Sequence, residues 1–313
     1  EDRPRPMQCS PGTSGSLESC AQRRAAQLRE ATCGLFCPER DGRRAPPGAA
    51  GPRVSVVCPT SEERLLFHAQ LYCCFAASQL DGGLELVVVD TGLSGPSPML
   101  RRLAEQDDRV VYRHFAVPSH GWPVGLKRNI ALHLSLAPVV AHFDDDDLYA
   151  PEYLARMLDA MGDADAVTLS SWFVFDTLTG RFAQVDPLAE LFYDRGWVYG
   201  YGFSYLYRRE AALQCPFPDG SFFAEDSAFM HGLQLRGGGR GVALTRDDVG
   251  LALHMQHGGN LSNSHAHVEV AASEMAAAPV SRAPGFEWYV TSFRPRPAFD
   301  SPHLTLGAAR FAA

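Results

Sequence analysis

The sequence has no apolar run long enough to cross a bilayer and no excess of positive charge. Charged residues interrupt each core-like apolar run, whereas a membrane-spanning helix needs about 20 apolar residues. The formal net charge is -8, whereas proteins that bind nucleic acid present a basic face. The chain also lacks internal repeats. We therefore predict no transmembrane segment in this sequence, no nucleic-acid partner and no repeat architecture.

The composition that remains is that of an ordinary globular protein. Of the 313 residues, 46% are hydrophobic and 20% are charged, which suits one large α/β domain or two small ones. Residues 1–52 are rich in Pro, Gly, Arg and Ser, and we interpret them as a stem or linker. We place a folded domain at residues 53–265, with halves at 53–150 and 151–265, and a loose or wrapping tail at 266–313.

Eight cysteines are unevenly spread along the chain, and four of them lie near its beginning. Cys9, Cys20, Cys33 and Cys37 have polar neighbours and predict two disulfides, in any of three pairings. Disulfides favour the lumen of the endoplasmic reticulum or Golgi, or secretion; reduced thiols in a cytoplasmic protein are the alternative. A zinc cluster is the weaker interpretation, since a single pair has ligand-like spacing. The sequence begins at Glu1 rather than Met, and removal of a leading segment is one interpretation of that.

Apolar, β-branched segments alternate with helical ones along the first half of the chain. The segments predicted as buried strands are 54–58, 84–89, 110–115 and 138–143. Their alternation with helices predicts right-handed βαβ units and a Rossmann-like, mostly parallel sheet flanked by helices, with a smaller, less regular part beside it. Ligands bind such sheets at the carboxyl ends of the strands, where Thr60, Asp90 and Asp144 fall.

The run Asp144–Asp147 directly follows the fourth predicted strand. Adjacent carboxylates repel one another and are costly to hold near a core, and a divalent cation relieves that cost. In an extended segment alternate residues point the same way, so Asp144 and Asp146 are predicted to face one site and Asp145 the other side. Hard oxygen ligands suit Mn²⁺ or Mg²⁺. A solvated acidic turn that caps the next helix is the alternative.

Five short motifs, in this order and spacing, resemble family 2 glycosyltransferases. They are Val54-Ser-Val-Val-Cys-Pro-Thr60, Leu84-Glu-Leu-Val-Val-Val-Asp90, Lys127-Arg128-Asn129, Phe143-Asp-Asp-Asp-Asp-Leu-Tyr-Ala-Pro151 and Ala224-Glu225-Asp226. The resemblance implies the GT-A fold. It also implies a metal-dependent transfer of a sugar from a nucleotide-diphosphate sugar, by default a UDP-sugar, with inversion of the anomeric centre. The acceptor would be a hydroxyl of a glycan, a protein or a small molecule.

The resemblance also implies roles for residues at matching positions on the nucleotide side. Pro59 and Thr60 would line the nucleotide pocket. Asp90 would accept a hydrogen bond from the nucleobase, and Lys127 and Arg128 would lie near the base or the phosphates.

The acidic run corresponds to the family's DxD motif. Asp144 would contact the ribose or the metal, and Asp146 would contact the metal that bridges the diphosphate. We place Asp145 with the nucleotide-binding residues and Asp147 with the loop or the donor sugar. His257, which adjoins two glycines, is a further candidate metal ligand; a loop histidine without a ligand role is the alternative.

The catalytic base would be Asp226, because the reaction must deprotonate an acceptor hydroxyl. Without the family pattern, Glu225-Asp226 would be an ordinary acidic pair at a helix start. With it, Glu225 is predicted to lie near the donor or acceptor sugar. Trp197 and Tyr201 are predicted acceptor contacts, since aromatic faces pack on sugar rings and the glycines around them indicate a shaped loop.

One residue departs from the family pattern, and several missing features argue against other functions. Thr91 stands where the family often has a second acidic residue, which leaves the donor nucleotide open. The Gln/Arg-x-x-Arg-Trp motif of polymer-forming members is missing. A haloacid-dehalogenase-type phosphatase is disfavoured by Leu148, and a sugar nucleotidylyltransferase by the absence of a Gly-rich basic loop after Pro59. A non-catalytic binding module on the same fold would be expected to have lost Asp146 or Asp226.

Overall fold

A computed structural model describes residues 51–189, 195–220, 224–236, 238–257, 260 and 268–292. The cysteines at positions 9, 20, 33 and 37, and with them the predicted disulfides, lie outside these residues. The cysteines within them, Cys58, Cys73, Cys74 and Cys215, are free thiols. Among the described residues, no helix is both long and apolar enough to span a membrane.

The first half of the chain forms the parallel part of the sheet. Its strands are β1 (Val54–Ser61), β2 (Leu84–Thr91), β3 (Val110–Phe115) and β4 (Val139–His142). They lie in the order β4-β1-β2-β3, and each neighbouring pair is parallel. This is the arrangement that the alternation of strands and helices predicts.

Antiparallel strands extend the sheet beyond β4. The remaining strands are β5 (Leu148–Tyr149), β6 (Ala166–Asp176), β7 (Arg181–Val185), β8 (Leu206–Arg208), β9 (Val242–Arg246), β10 (Ala252–Gln256) and β11 (Val268–Val270). The order continues from β4 through β8, β6 and β7 to β11, and β9 and β10 pair in parallel with β6. Strand β10 also pairs with the short β5 just after the acidic run, and so reaches the same edge of the sheet.

Helices cover both faces of the sheet. They are α1 (His68–Ala77), α2 (Pro98–Gln106), α3 (Val124–Leu134), α4 (Tyr153–Met161), α5 (Arg209–Gln214), α6 (Glu225–Leu235), α7 (Ala272–Ala277) and α8 (Phe286–Ser292). Within β1, Val56 packs into the core on one face and Val57 into the core on the other. Burial on both faces explains why the central strands are continuously apolar rather than alternating.

Thr60 or Ser61 followed by two glutamates is a pattern typical of a capped α-helix start, but the entry to α1 differs from it. A 3₁₀ helix, Glu62–Phe67, comes first, and Ser61 makes no side-chain capping bond. The Thr60 hydroxyl is used elsewhere: it donates to Asp145 Oδ2 at 2.6 Å. The tighter helix lies at the end of β1, directly beside the acidic run.

Part of the predicted C-terminal tail belongs to the folded body. Strand β11 pairs with β7, and Phe286 is buried with its ring 6.2 Å from that of Phe182. Gln70 Nε2 on α1 donates to the carbonyl of Pro284 at 2.5 Å. The segment 268–292 therefore wraps onto the core, whereas the domain boundaries at residues 52 and 265 stay predictions.

Candidate active site

The carboxyl ends of three parallel strands bring the predicted site residues to one edge. Thr60 and Asp90 are register partners at the ends of β1 and β2, and Pro59 is opposite Val89 one step earlier. The acidic run begins two residues after β4, the other neighbour of β1. The convergence predicted from the order of strands is therefore present.

The acidic run is a turn rather than the extended segment from which the grouping of its side chains was predicted. The turn is closed by Asp147 N, which donates to the carbonyl of Asp144 at 3.3 Å. One carboxylate oxygen from each of Asp144, Asp146 and Asp147 lies within 4.8 Å of the others, an arrangement that can hold a metal ion. Asp145 points away, as predicted. The turn therefore adds Asp147 to the predicted pair, and we call these three residues the acid cluster.

Burial and mutual repulsion make the acid cluster electrostatically demanding. Burial, followed by the charge of Asp147, raises the pKa of Asp144 to about 7. Burial also acts to raise the pKa of Asp146, but a hydrogen bond from His257 and the charge of Arg64 outweigh it and lower that pKa to about 2. Bringing a divalent cation to these oxygens would relieve the repulsion, so the donor set fits Mn²⁺ or Mg²⁺.

Two histidines contact the acid cluster in different ways. His254 Nδ1 lies 3.0 Å from Asp147 Oδ2; burial disfavours its charged form, but Asp147 outweighs burial and raises the pKa of His254 to about 9. In the absence of a metal, His254 thus favours the charged form that pairs with Asp147. His257 Nε2 lies 2.9 Å from Asp146 Oδ2, so the residue predicted as a metal ligand is at the cluster. The Asn260 side chain fixes it there by accepting from His257 N at 2.5 Å.

Arg64 is a site residue that the sequence did not indicate. From the 3₁₀ helix its Nε donates to Asp145 Oδ1 at 2.7 Å, and its Nη2 lies 2.6 Å from Asp146 Oδ2. The guanidinium carbon lies 5.2 Å from the centre of the Phe67 ring, which stacks on His257. A single arginine in a segment interpreted as an α-helix carried no signal of this role.

The side of the site that is predicted to bind the nucleotide contains an unsatisfied hydrogen-bond acceptor. Asp90 is buried, and its Oδ2 accepts from the Tyr112 hydroxyl at 2.5 Å. Its Oδ1 is buried without a hydrogen-bond partner among the described residues. Lys127 Nζ donates to the carbonyl of Thr60 at 3.0 Å, and burial lowers the pKa of Lys127. An orphaned buried acceptor is costly, which suits a ligand that brings an N–H group to Asp90.

A buried hydrogen-bond network, also missed from the sequence, joins this acceptor to the acidic run. His68 lies at its centre, with Nε2 3.0 Å from Thr60 Oγ1 and Nδ1 2.9 Å from Ser97 Oγ. Ser97 N in turn donates to the Tyr112 hydroxyl at 2.7 Å. The complete path is Asp145, Thr60, His68, Ser97, Tyr112 and Asp90. Asp145 and Asp90 are thus held in place by one set of contacts.

The predicted catalytic base lies at the start of α6, beside a buried ion pair. Arg128 Nη1 lies 2.8 Å from Glu225 Oε1. Arg128 therefore lies beside Glu225, whereas its neighbour Lys127 contacts Thr60. Burial raises the pKa of Asp226, and the charge of Arg128 opposes the rise. Ala224 precedes the pair with a left-handed φ of 60°, a conformation that is costly for a residue with a Cβ and is often found at functional sites.

The predicted acceptor aromatics are only partly within the described side chains. Tyr201 is half-buried, with its ring centre 4.2 Å from that of Trp172. Trp172 is completely buried and belongs to the core. The side chain of Trp197 lies outside the described residues, so both acceptor assignments stay predictions.

The family model described as glycosyl transferase family 2 matches residues 55–230 of the chain. The chain therefore belongs to glycosyl transferase family 2. No curated protein matches its sequence significantly.

Solved structures show the same fold. Staphylococcus aureus TarS 1–349 in complex with UDP is similar at 17% identity with a TM-score of 0.51, over 65% of this chain and 60% of that one. Its complex with UDP-GlcNAc gives 18% identity and a TM-score of 0.50, over 66% and 60%. The chain thus spans about 60% of the length of these TarS structures. The predicted GT-A architecture is confirmed.

Proposed function

We propose that the protein is an inverting glycosyltransferase that moves a sugar from a nucleotide-diphosphate sugar, with UDP as the nucleotide, to an acceptor hydroxyl. The observation that carries the proposal is the convergence of Asp144, Asp146 and Asp147 at the carboxyl edge of the sheet, in a chain of this family. The acceptor is a glycan, a protein or a small molecule.

The acid cluster would hold the divalent cation, Mn²⁺ or Mg²⁺, through carboxylate oxygens, and His257 is a further candidate ligand beside Asp146. When bound, the cation would supply charge neutralisation for the leaving diphosphate. Asp145 would stay with Thr60 and Arg64 and fix the nucleotide side of the turn. The buried Lys127 would add positive charge beside the nucleotide.

Asp226 would act as the general base on the other side of the reacting sugar. It would take the proton of the acceptor hydroxyl as that oxygen bonds to the anomeric carbon. The bond from that carbon to the diphosphate breaks, and the diphosphate leaves with the electron pair; attack from the opposite face inverts the centre. The raised pKa of Asp226 makes it a stronger base, while Arg128 limits the rise and favours the ionised form that the reaction needs.

A donor panel tests the proposed function. Purified protein is incubated with UDP-, GDP- and dTDP-sugars and Mn²⁺, and released nucleoside diphosphate is measured with water or candidate hydroxyl compounds as acceptor. We expect release from UDP-sugars, loss of at least about 90% of it with EDTA, and recovery on adding Mn²⁺ in excess. Release of a nucleoside triphosphate in the presence of pyrophosphate would instead indicate a nucleotidylyltransferase. Donor binding without turnover on any acceptor would indicate a binding module.

Asp90→Asn tests the nucleotide assignment. The amide can still accept from Tyr112 through its oxygen, which leaves its NH₂ group where the unpartnered Oδ1 now lies. The NH₂ group, a hydrogen-bond donor, then faces the N–H of the base, which is also a donor. We therefore expect UDP to bind about 10- to 100-fold more weakly, the range for a lost hydrogen bond to a charged group. Isothermal titration with UDP measures the change, and Asp81→Asn, on the exposed turn before β2, is the matched control. Unchanged UDP affinity in Asp90→Asn would exclude a base contact.

A further inference from the structure

Arg64 and a divalent cation would both need the carboxylate of Asp146. Arg64 Nη2 lies 2.6 Å from Asp146 Oδ2, and Asp146 is a member of the acid cluster. The two side chains are largely shielded from water, since that of Arg64 is 24% exposed and that of Asp146 is 5% exposed. A cation bound at this carboxylate would face a guanidinium at hydrogen-bond distance, and with little solvent between them the repulsion is weakly screened.

The surroundings of Arg64 allow it to release Asp146 without leaving the site. Its Nε donates to Asp145 at 2.7 Å and its Nη2 contacts the same carboxylate, and Asp145 lies outside the acid cluster. Its guanidinium carbon lies over the Phe67 ring, 5.2 Å from the ring centre. The Nε bond to Asp145 does not involve the atom that contacts Asp146, so a rotation of the guanidinium that keeps this bond would release Asp146.

Phe67 connects this exchange to the other partner of Asp146. Its ring centre is 5.2 Å from that of His257, with 22° between the planes, and His257 Nε2 lies 2.9 Å from the same Oδ2 that Arg64 contacts. Arg64 and His257 thus both pack against Phe67 and both contact the same carboxylate oxygen of Asp146. This arrangement compensates the charge of Asp146 from the protein's own residues.

We propose that Arg64 is the internal counter-ion of the metal site: it neutralises Asp146 in the metal-free protein and yields that carboxylate to the incoming divalent cation while staying bound to Asp145. The inference rests on the proposed function, because it takes the acid cluster as the metal site. It predicts that the wild-type protein binds metal more weakly than its carboxylates alone would allow.

Manganese binding to metal-free protein tests this inference without using activity. Free Mn²⁺ is measured by electron paramagnetic resonance during titration of wild type, Arg64→Gln, Arg64→Lys and the matched control Arg181→Gln. Arg181 is exposed and pairs with Glu269. Its replacement by Gln changes the net charge by the same amount as Arg64→Gln does. We expect Arg64→Gln to bind Mn²⁺ about tenfold more tightly than wild type, from loss of one nearby competing charge, and Arg181→Gln to bind as wild type does.

In the metal-free protein, the loss of Arg64 should lower the thermal stability. Without Arg64 the carboxylates of Asp145 and Asp146 lose the guanidinium group that pairs with both. The melting temperature of Arg64→Gln should therefore fall by about 3–6 °C in EDTA. Added Mn²⁺ should then raise it by more than it raises that of wild type.

Arg64→Lys is the second variant, and it keeps the inference testable if the glutamine variant does not fold. Lysine keeps the charge but not the planar fork that contacts two carboxylates at once, so its Mn²⁺ affinity should lie between those of wild type and Arg64→Gln. Equal or weaker Mn²⁺ binding in the Arg64 variants, with wild-type binding intact, would overturn this inference alone. Absence of saturable Mn²⁺ binding in the wild type would overturn the metal site and the inference together.

Discussion

Asp226→Asn is expected to lower the rate of sugar transfer by about 10³-fold, within the range of contributions from a general base, while the donor still binds. The substitution removes the group that takes the proton of the acceptor hydroxyl. The neutral amide has no comparable basicity, so the attacking oxygen stays protonated. Donor binding should be unaffected because the acid cluster and Asp90 lie on other elements.

The local structure should tolerate this substitution. Asp226 Oδ1 accepts from Ser227 N at 2.7 Å, and the oxygen of asparagine can accept the same hydrogen bond. The ion pair between Arg128 and Glu225 does not use the Asp226 carboxylate. Loss of activity in Asp226→Asn should therefore occur with a nearly unchanged melting temperature.

The pH profile supplies an independent measurement of the same residue. Burial raises the pKa of Asp226, so the ionised base is lost as the pH falls through that raised value. Transfer by the wild type, followed at saturating donor and Mn²⁺, should rise with pH along a limb that lies above the ordinary range of an aspartate. The residual activity of Asp226→Asn should lack this limb.

Asp159→Asn is the matched control, because Asp159 is an exposed carboxylate on α4 outside the site. It should transfer at the wild-type rate with the wild-type pH profile. Full transfer by Asp226→Asn would show that the base is another residue. Loss of UDP binding in Asp226→Asn would instead place this carboxylate in the donor pocket.

Sequence patterns predicted the parts of the site that depend on the positions of strand ends. The apolar runs fix β1, β2 and β4 because buried parallel strands are continuously apolar, and parallel pairing then brings Thr60, Asp90 and Asp144 to one edge. The helix that begins at Glu225 was also predicted, since acidic residues favour the first turn of a helix.

The parts that could not be predicted depend on contacts between distant positions. Arg64 meets Asp145 across 81 positions of the chain, and neither residue type specifies the other. The acidic run turns because Asp147 N bonds to Asp144 O, whereas the alternation rule applies to extended backbone. The use of Thr60 by Asp145 likewise removed the helix cap that the local pattern favoured.

Asp146→Ala is expected to remove the metal-dependent part of donor binding. Asp146 pairs with Arg64 and lies within hydrogen-bond distance of His257, and its pKa is lowered to about 2. It is therefore the member most fully ionised without a metal. Its loss should weaken UDP binding in Mn²⁺ by about 100-fold or more, because even the groups that only orient metal ligands contribute about 10- to 100-fold.

Titration of UDP and of uridine, each with Mn²⁺ and with EDTA, distinguishes the contribution of the metal to binding from that of the nucleotide pocket. Wild type in EDTA and Asp146→Ala in Mn²⁺ should bind UDP equally weakly, because both lack the cation. Uridine has no diphosphate and should bind through the Asp90 side of the pocket. Its affinity should therefore be the same for wild type and Asp146→Ala, with Mn²⁺ and with EDTA. Arg64 keeps its contacts with Asp145 in the variant, so the fold should persist. A variant that still shows stronger UDP binding with Mn²⁺ than with EDTA would place the cation on carboxylates other than Asp146.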